Sequence, residues 1–251
     1  MYPHIFPGTS LAIPVWDIFM FLGWVIAVSL GLIMLPKDIG SRRISLFFLA
    51  VFILIFGWMG AKLFYVFLHR HMLFTLHHLN FEQAFDTAGY AYLGTLITIA
   101  LTILAFTKLR LKRISFLKLS DYTMPFVLIQ LFFVRIGCFF SGCCVGCETG
   151  MSWGIKFPAE TGLRHPTQLY EAATVLILFF IVRAIYKKRP VPGVVTLYSV
   201  GLYAFCRFFI EFLRTDSPKV LGVVHLSNIA MFAIAAACAT AIMLIQKRRG
   251  S

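Results

Sequence analysis

The chain has 251 residues, 60% of them hydrophobic and 13% charged, yet 23 Lys and Arg against 10 Asp and Glu give it a net charge of +13. A water-soluble domain is typically about 45–50% apolar and about 25% charged, so this composition excludes an ordinary soluble globule and a disordered chain. The mean hydropathy of +0.86 indicates an integral membrane protein.

Seven apolar segments are each long enough to cross a bilayer as a helix of about 20 residues. We therefore predict an all-α integral membrane protein with seven transmembrane helices, forming a single polytopic domain over residues 1–251. The two longest outer-side loops are expected at about 69–89 and 142–166. The predicted spans are 16–35, 44–68, 90–107, 122–141, 167–185, 194–212 and 225–246.

The basic residues cluster in alternate loops. Fifteen of the 23 lie in residues 36–43, 108–120, 183–192 and 247–251. Because Lys and Arg concentrate in cytoplasmic loops, these segments predict a cytoplasmic C-terminus and an N-terminus outside, in the periplasm. Short basic clusters that flank membrane helices also account for the net charge without a nucleic-acid partner.

One arginine lies inside a predicted span. Arg135 follows the apolar run PFVLIQLFFV, and ionisable residues inside a membrane are costly and usually functional. A guanidinium can bind an anionic head group through forked hydrogen bonds. The alternative is a buried ion pair.

Two further polar clusters lie near the outer ends of helices. In RFFIEFLR, Arg207, Glu211 and Arg214 share one helical face, although Arg207 and Glu211 could simply neutralise each other. In RHPTQLYEA, at 164–172, Gln168 and Glu171 lie three residues apart on a helix that begins near a proline. The combined charge predicts a site for the phosphate-bearing head group of a lipid, and a transported anion would fit it too.

The same segment contains two further polar side chains. His165 is the histidine close to this polar group, and it could act as a general base or simply begin the helix. Tyr170 can form hydrogen bonds at the membrane interface.

Four of the six cysteines lie within ten residues, in GCFFSGCCVGC at 137–147. Three interpretations of Cys138, Cys143, Cys144 and Cys147 stay open. The preferred one is structural thiols or disulfides, as an oxidising periplasm allows. A reactive thiolate beside an arginine comes second. Metal binding comes third, because the spacing matches no standard zinc pattern, and we predict neither a metal site nor a cofactor.

These motifs resemble those of the bacterial phosphatidylglycerol–prolipoprotein diacylglyceryl transferases. The family run R-I-G-N-F-x-N-G-E-x-x-G is similar to RIGCFFSGCCVG at 135–146, and H-P-S-Q-L-Y-E is similar to HPTQLYE at 165–171. The family's R-x-x-x-E-x-x-R resembles RFFIEFLR at 207–214, and its G-G-R-L-G-Y resembles GAKLFY at 60–65.

The resemblance implies a seven-span enzyme of the bacterial inner membrane, with its active site toward the outer leaflet. It moves the diacylglyceryl group of phosphatidylglycerol to the cysteine thiol of a preprolipoprotein signal peptide, and glycerol phosphate leaves. The expected catalytic residues are Arg135, Arg207, Cys138, Glu171 and His165. The expected substrate-binding residues are Arg135, Arg207, Arg214, Gly137, Gly146, Gln168, Tyr170, Glu211 and Asp17.

The sequence also departs from the family pattern. Asp17 stands where the family has a functional Tyr, and Leu93 stands where it has a His. Cys138 replaces the signature Asn, and Cys143 replaces its Glu. The resemblance is therefore to a diverged member that retains the arginines and lacks the family's His.

Three functional hypotheses follow. The first is a transferase that acts on an anionic phospholipid, with a prolipoprotein thiol or a different molecule as the acceptor. The second is a non-catalytic protein that binds or translocates lipid. The third and weakest is a thiol–disulfide exchanger that uses Cys144 and Cys147, which have the spacing C-x-x-C.

Overall fold

The computed structural model describes residues 4–5, 13–36, 43–76, 78–87, 92–110, 114–188, 190–214, 219–221 and 224–250. This part of the chain is mostly α-helical, with three short antiparallel hairpins. The helices are α1 (Val15–Ile33), α2 (Arg43–Leu68), α3 (Phe81–Thr87), α4 (Tyr92–Leu109), α5 (Phe116–Ser141), α6 (Thr167–Lys187), α7 (Val194–Glu211) and α8 (Leu226–Gly250). The hairpins pair β1 (His4–Ile5) with β2 (Ile13–Pro14), β3 (Ile155–Lys156) with β4 (Leu163–Arg164), and β5 (Lys219–Leu221) with β6 (Val224–His225).

Six helices among the described residues are long and apolar enough to cross a membrane: α1, α2, α5, α6, α7 and α8. The prediction of an all-α integral membrane protein is therefore confirmed. In α4, which corresponds to the predicted span at 90–107, the apolar stretch is shorter and covers Ile97–Leu109.

Several boundaries differ from the prediction because hydropathy locates the membrane part of a helix and not its ends. Helix α5 begins at Phe116 rather than at residue 122. The backbone N–H of Lys118 donates to Ser115 Oγ at 3.3 Å, an N-terminal cap that starts the helix in a polar segment. The connection predicted at 69–89 contains a π-helical turn, His71–Leu76, and then α3.

The helices form two compact units, residues 32–119 and residues 1–31 with 120–251. In the first unit, α2 and α4 approach closely where two glycines meet. A Cβ atom added to Gly94 would lie 2.2 Å from the carbonyl oxygen of Gly60. Such small residues let membrane helices pack backbone to backbone.

The first unit also contains a charged residue inside an apolar segment, Lys62, whose partners explain how its charge is stabilised. Lys62 donates from Nζ to the carbonyl oxygen of Phe85 at 3.0 Å. The same ammonium lies 5.5 Å from the ring centre of Trp58 and 5.1 Å from that of Phe85. These contacts stabilise the buried cation, and they give Lys62 a structural role.

In the second unit, two polar side chains of α5 bind the backbone of α1. The hydroxyl of Tyr122 donates to the carbonyl oxygen of Gly31 at 2.5 Å, and Gln130 Nε2 donates to that of Met20 at 2.9 Å. Both bonds connect residues that lie far apart in sequence. They fix α5, which carries Arg135 and Cys138, against α1.

Asp121 of α5 binds the start of α7. Its two carboxylate oxygens accept the backbone N–H of Gly193 at 2.7 Å and that of Thr196 at 2.8 Å, and the Thr196 hydroxyl at 2.7 Å. A carboxylate at a helix N-terminus satisfies N–H groups that have no partner within the helix and interacts favourably with the helix dipole.

We expect Asp121→Ala to lower the free energy of unfolding by about 2–3 kcal/mol, because three hydrogen bonds to a buried charge are lost. Thermal unfolding of the purified protein in detergent measures this. Asp121→Asn keeps one acceptor oxygen and should fall between the alanine variant and the wild type. An alanine variant as stable as the wild type would contradict the assigned capping role.

Candidate active site

A buried carboxylate on α6 binds side chains from two other helices. Glu171 is 1% exposed, and its Oε1 lies 2.8 Å from Arg135 Nη2 of α5. Its Oε2 pairs with Arg207 Nη1 of α7. The hydroxyl of Tyr203, also on α7, donates to Oε1 at 2.6 Å. Glu171 therefore connects α5, α6 and α7 at a single point.

A second buried carboxylate extends this network. Glu211 Oε2 lies 2.8 Å from Arg207 Nη2 and 3.9 Å from Arg214 Nε. Ser227, at the start of α8, donates from Oγ to Glu211 Oε1 at 2.6 Å. Three arginines and two carboxylates thus form one continuous cluster, which we call the arginine network: Arg135, Glu171, Arg207, Glu211 and Arg214.

The spacing of residues along α7 explains part of the arginine network. Tyr203, Arg207 and Glu211 are separated by four residues, and therefore lie on one face of α7. Arg207 and Glu211, whose mutual neutralisation was one of the two interpretations of the sequence, do form an ion pair. Arg214 follows the end of α7, where the chain forms an isolated antiparallel bridge with Gly146.

The arginine network carries more positive than negative charge. Its three guanidinium groups and two carboxylates sum to +1, and the side chains of Arg135 and Arg207 are 17% and 13% exposed. Arg135 Nε is buried and has no hydrogen-bond partner among the described residues. Because a buried donor without a partner is costly, this nitrogen indicates a position for an acceptor atom from outside the protein.

Three thiols gather beside the arginine network. The Sγ atoms of Cys138, Cys143 and Cys144 lie within 4.8 Å of one another. Cys138 is buried, Cys144 is half-buried and Cys143 is exposed, and all six cysteines of the chain are free thiols. Hydrogen bonds from Cys138 and Cys143, together with the nearby guanidinium of Arg214, lower the pKa of the Cys144 thiol.

The backbone around these thiols is held in an unusual conformation. Gly142 has a φ of 74° and Cys144 a φ of 61°, a left-handed region that residues with a Cβ rarely adopt. Thr167 Oγ1 donates to the carbonyl oxygen of Cys144 at 2.8 Å, and Gln168 Nε2 donates to that of Cys143. The first turn of α6 therefore fixes the cysteine loop.

His165 and Tyr170 form a separate hydrogen-bonded chain. Tyr170 OH accepts from Trp153 Nε1 at 2.9 Å and lies 3.1 Å from His165 Nδ1. Because the hydroxyl oxygen accepts from the indole, its own proton is available for Nδ1. This contact orients the imidazole ring of His165.

The remaining predicted site residues do not belong to the arginine network. Gly137 faces α1, where an added Cβ would lie 3.0 Å from the Cβ of Phe19, and Gly146 is closely packed against His165. Asp17 is half-buried in the first turn of α1. The side chain of Leu93 lies outside the described residues.

Two partners of the arginine network, Tyr203 and Ser227, were not predicted from the sequence. Tyr203 lies one helical turn before Arg207, so its spacing from that arginine was an available signal. Ser227 comes from α8, and no local pattern connects it to Glu211. Neighbouring Asn228 is fully buried and donates to the carbonyl oxygen of Phe208 at 2.9 Å.

A family model described as "Prolipoprotein diacylglyceryl transferase" matches residues 3–246. The chain belongs to this family. The match covers all of the arginine network and the cysteine loop. The resemblance inferred from the sequence motifs is thereby confirmed.

Relatives named phosphatidylglycerol–prolipoprotein diacylglyceryl transferase support the assignment. The protein from Clostridium tetani is 30% identical over 93% of this chain and 94% of its own length. The protein from Nitrosomonas europaea is 30% identical over 86% of this chain and 78% of its own. That from Chlorobaculum tepidum is 40% identical over 55% of this chain, and this match spans about half of that relative, 48%.

Proposed function

We propose that the protein is a membrane transferase that moves the diacylglyceryl group of phosphatidylglycerol to the thiol of a prolipoprotein cysteine. Membership of the family supports the reaction class. The observation that supports it most strongly in the site is Arg135: one nitrogen binds Glu171, while Nε is buried without a partner among the described side chains. A phosphate oxygen is the acceptor that this donor fits.

The charge of the arginine network suits a phosphodiester. The five charged groups sum to +1, and the phosphate of phosphatidylglycerol carries one negative charge. When the bond between the diacylglyceryl carbon and the phosphate oxygen breaks, negative charge increases on the departing glycerol phosphate. Arg135 and Arg207 are fixed before the reaction and can stabilise that charge without reorganising, which is how preorganised donors accelerate a reaction.

Glu171 is best explained as a positioning residue for the two arginines. Its oxygens already accept from Arg135, Arg207 and Tyr203, so little capacity remains for a proton from the substrate. Asp17 and His165 remain the candidate proton acceptors. Gln168 binds the backbone carbonyl of Cys143, and Tyr170 binds the imidazole of His165.

We also propose the finer topology expected from the loop charges. The chain forms one polytopic domain in the bacterial inner membrane. Its seven spans are the six long apolar helices together with α4. The N-terminus lies in the periplasm, the C-terminus lies in the cytoplasm, and the site opens toward the outer leaflet. A preprolipoprotein signal peptide would approach there from within the bilayer.

The test is complementation of a bacterial strain depleted of its own diacylglyceryl transferase. Expression of this chain should restore growth and lipoprotein maturation, and the Arg135→Ala variant should not. If the wild-type chain accumulates in the membrane at normal levels and gives no rescue, the prolipoprotein acceptor is wrong.

Two rival functions remain to be separated from this one, since Asp17 and Leu93 replace the family's Tyr and His. A paralogue that uses another acceptor would still release glycerol phosphate from labelled phosphatidylglycerol. A protein that only binds or translocates lipid would release none. Glycerol phosphate release that requires Arg135 and persists in Arg183→Lys would exclude the second rival.

A further inference from the structure

We propose that Cys138, Cys143 and Cys144 bind a zinc ion whose fourth coordination position takes the acceptor thiol of the transfer reaction. This inference rests on the proposed function. It assigns a role to the cysteine loop, which neither the family pattern nor the arginine network explains. It also supplies a means of activating the acceptor in a chain that has Leu93 in place of the family's His.

The sulfur atoms have a spacing that suits a shared metal ion. The three Sγ atoms lie within 4.8 Å of one another. Ligands at zinc–sulfur distances of about 2.3 Å around a tetrahedral ion are separated by about 3.8 Å. Small side-chain rotations therefore suffice to bring the thiols into coordinating positions.

The cysteine loop is preorganised for this geometry. Cys143 and Cys144 are adjacent in sequence, and the left-handed conformation of Cys144 lets both thiols approach Cys138. Hydrogen bonds from Thr167 and Gln168 to the two carbonyl oxygens hold that conformation. Backbone strain of this kind persists where the surrounding structure enforces it, often at functional sites.

The proposed ion would be accessible from one side. Cys138 is buried, whereas Cys143 is exposed and Cys144 is half-buried. A zinc ion held by these three thiols would therefore have protein on one side and an accessible side on the other. Catalytic zinc sites combine three protein ligands with one such open position, whereas structural sites have four protein ligands.

The charge of the proposed zinc complex is complementary to that of its surroundings. A zinc ion with three thiolates carries a net charge of −1, and binding a fourth thiolate makes it −2. The guanidinium of Arg214 lies beside Cys144, and that of Arg135 interacts with both Cys138 and Cys144. These cations stabilise the anionic complex, and they place the phosphate site next to the bound thiolate.

The proposed transfer of the diacylglyceryl group to the thiol needs neither an oxidant nor a reductant. The acceptor S–H loses its proton when the sulfur binds zinc, because a coordinated thiol is deprotonated. Water or one of the candidate proton acceptors, Asp17 and His165, takes that proton. The thiolate attacks the diacylglyceryl carbon that bears the phosphate. A C–S bond forms, the C–O bond breaks, and its electron pair leaves with the oxygen of glycerol phosphate. The resulting thioether is a weaker ligand than a thiolate, so the product can leave the metal.

The test combines metal analysis with cobalt spectroscopy on the full-length protein in detergent. The purified wild type should contain about one zinc ion per chain. Cys138→Ser, Cys143→Ser and Cys144→Ser should each lower this content at least tenfold. Cys147→Ser removes a thiol from the same loop but outside the cluster, and it should keep the metal.

The second measurement examines the open position. With Co²⁺ in place of zinc, a synthetic peptide with a lipobox cysteine should raise the intensity of the thiolate-to-cobalt band by about a third, because the thiolates increase from three to four. The same peptide with serine in place of that cysteine should leave the band unchanged. The triple cysteine-to-serine variant should also transfer diacylglycerol about 100-fold more slowly, as expected for loss of the group that handles the thiol proton.

Several results would overturn the inference. The metal results would be a wild-type protein without zinc, or a zinc content in the triple variant equal to that of the wild type. The other results would be a cobalt band whose intensity does not change when the cysteine peptide is added, or full transfer activity in the triple variant. A disulfide among the three cysteines of the active protein would overturn it as well. The proposed function fails separately, if the metal-loaded wild type releases no glycerol phosphate from phosphatidylglycerol.

Discussion

Arg135→Lys should reduce transfer from phosphatidylglycerol about 100- to 1000-fold, the effect of losing one preorganised donor to a developing oxyanion. Lysine keeps the charge but loses the planar fork. It cannot bind Glu171 and a phosphate oxygen with the separate, fixed nitrogens that Arg135 provides. The turnover number should fall more than the apparent affinity for the lipid, because the departing phosphate gains charge only in the transition state.

The matched control is Arg183→Lys. Arg183 lies on α6, as Glu171 does, but twelve residues along, or about 18 Å at the rise of an α-helix. Its guanidinium lies over the ring of Tyr186 at 5.6 Å. This variant should keep the wild-type rate within about twofold, as a change remote from the site. Equal losses in both variants would show that the Arg135 effect reflects general destabilisation.

Glu171→Ala should lower the free energy of unfolding by about 3–5 kcal/mol, because it removes the shared anion from two arginines that are mostly buried. For a chain of this size that corresponds to a melting temperature lower by about 6–20 °C. Thermal unfolding in detergent is the measurement, with lipid-free and lipid-bound samples run in parallel. Anionic phospholipid should restore part of the lost stability, since its phosphate can replace the missing carboxylate.

Glu160→Ala is the control for this prediction. Glu160 pairs with Arg164 at 3.0 Å, but a third of its side chain, 34%, is exposed. An ion pair in water contributes about 0–1 kcal/mol, so this variant should unfold close to the wild-type temperature. If Glu171→Ala unfolded at the same temperature as Glu160→Ala, the contacts of Glu171 in the arginine network would contribute no more to stability than an exposed ion pair does.

The sequence predicted the fold wherever apolar length alone decides it. Six of the predicted spans are long apolar helices in the structure. Boundaries were less predictable, since α5 continues through Lys118 and Asp121 beyond its apolar segment. Those polar residues are helical because Ser115 caps the helix and Asp121 binds α7. Both interactions involve partners that hydropathy does not detect.

The site shows the same division between local and distant contacts. The spacing of Arg207 and Glu211 on one helix allows them to pair, and the two side chains form an ion pair in the structure. The contact of Arg135 with Glu171 joins residues on different helices, so no spacing could reveal it. For the same reason, the sequence identified the four clustered cysteines but could not separate Cys147 from the three whose thiols meet.

The transfer reaction is tested directly with the purified protein in vesicles of phosphatidylglycerol and a synthetic peptide that carries a lipobox cysteine. Mass spectrometry of the peptide should show the added mass of one diacylglyceryl group on the cysteine, with an equal amount of glycerol phosphate released. Arg135→Lys should give little product, and Arg183→Lys should match the wild type. An unmodified peptide and no glycerol phosphate, after prolonged incubation with folded protein, would show that the protein does not catalyse this transfer.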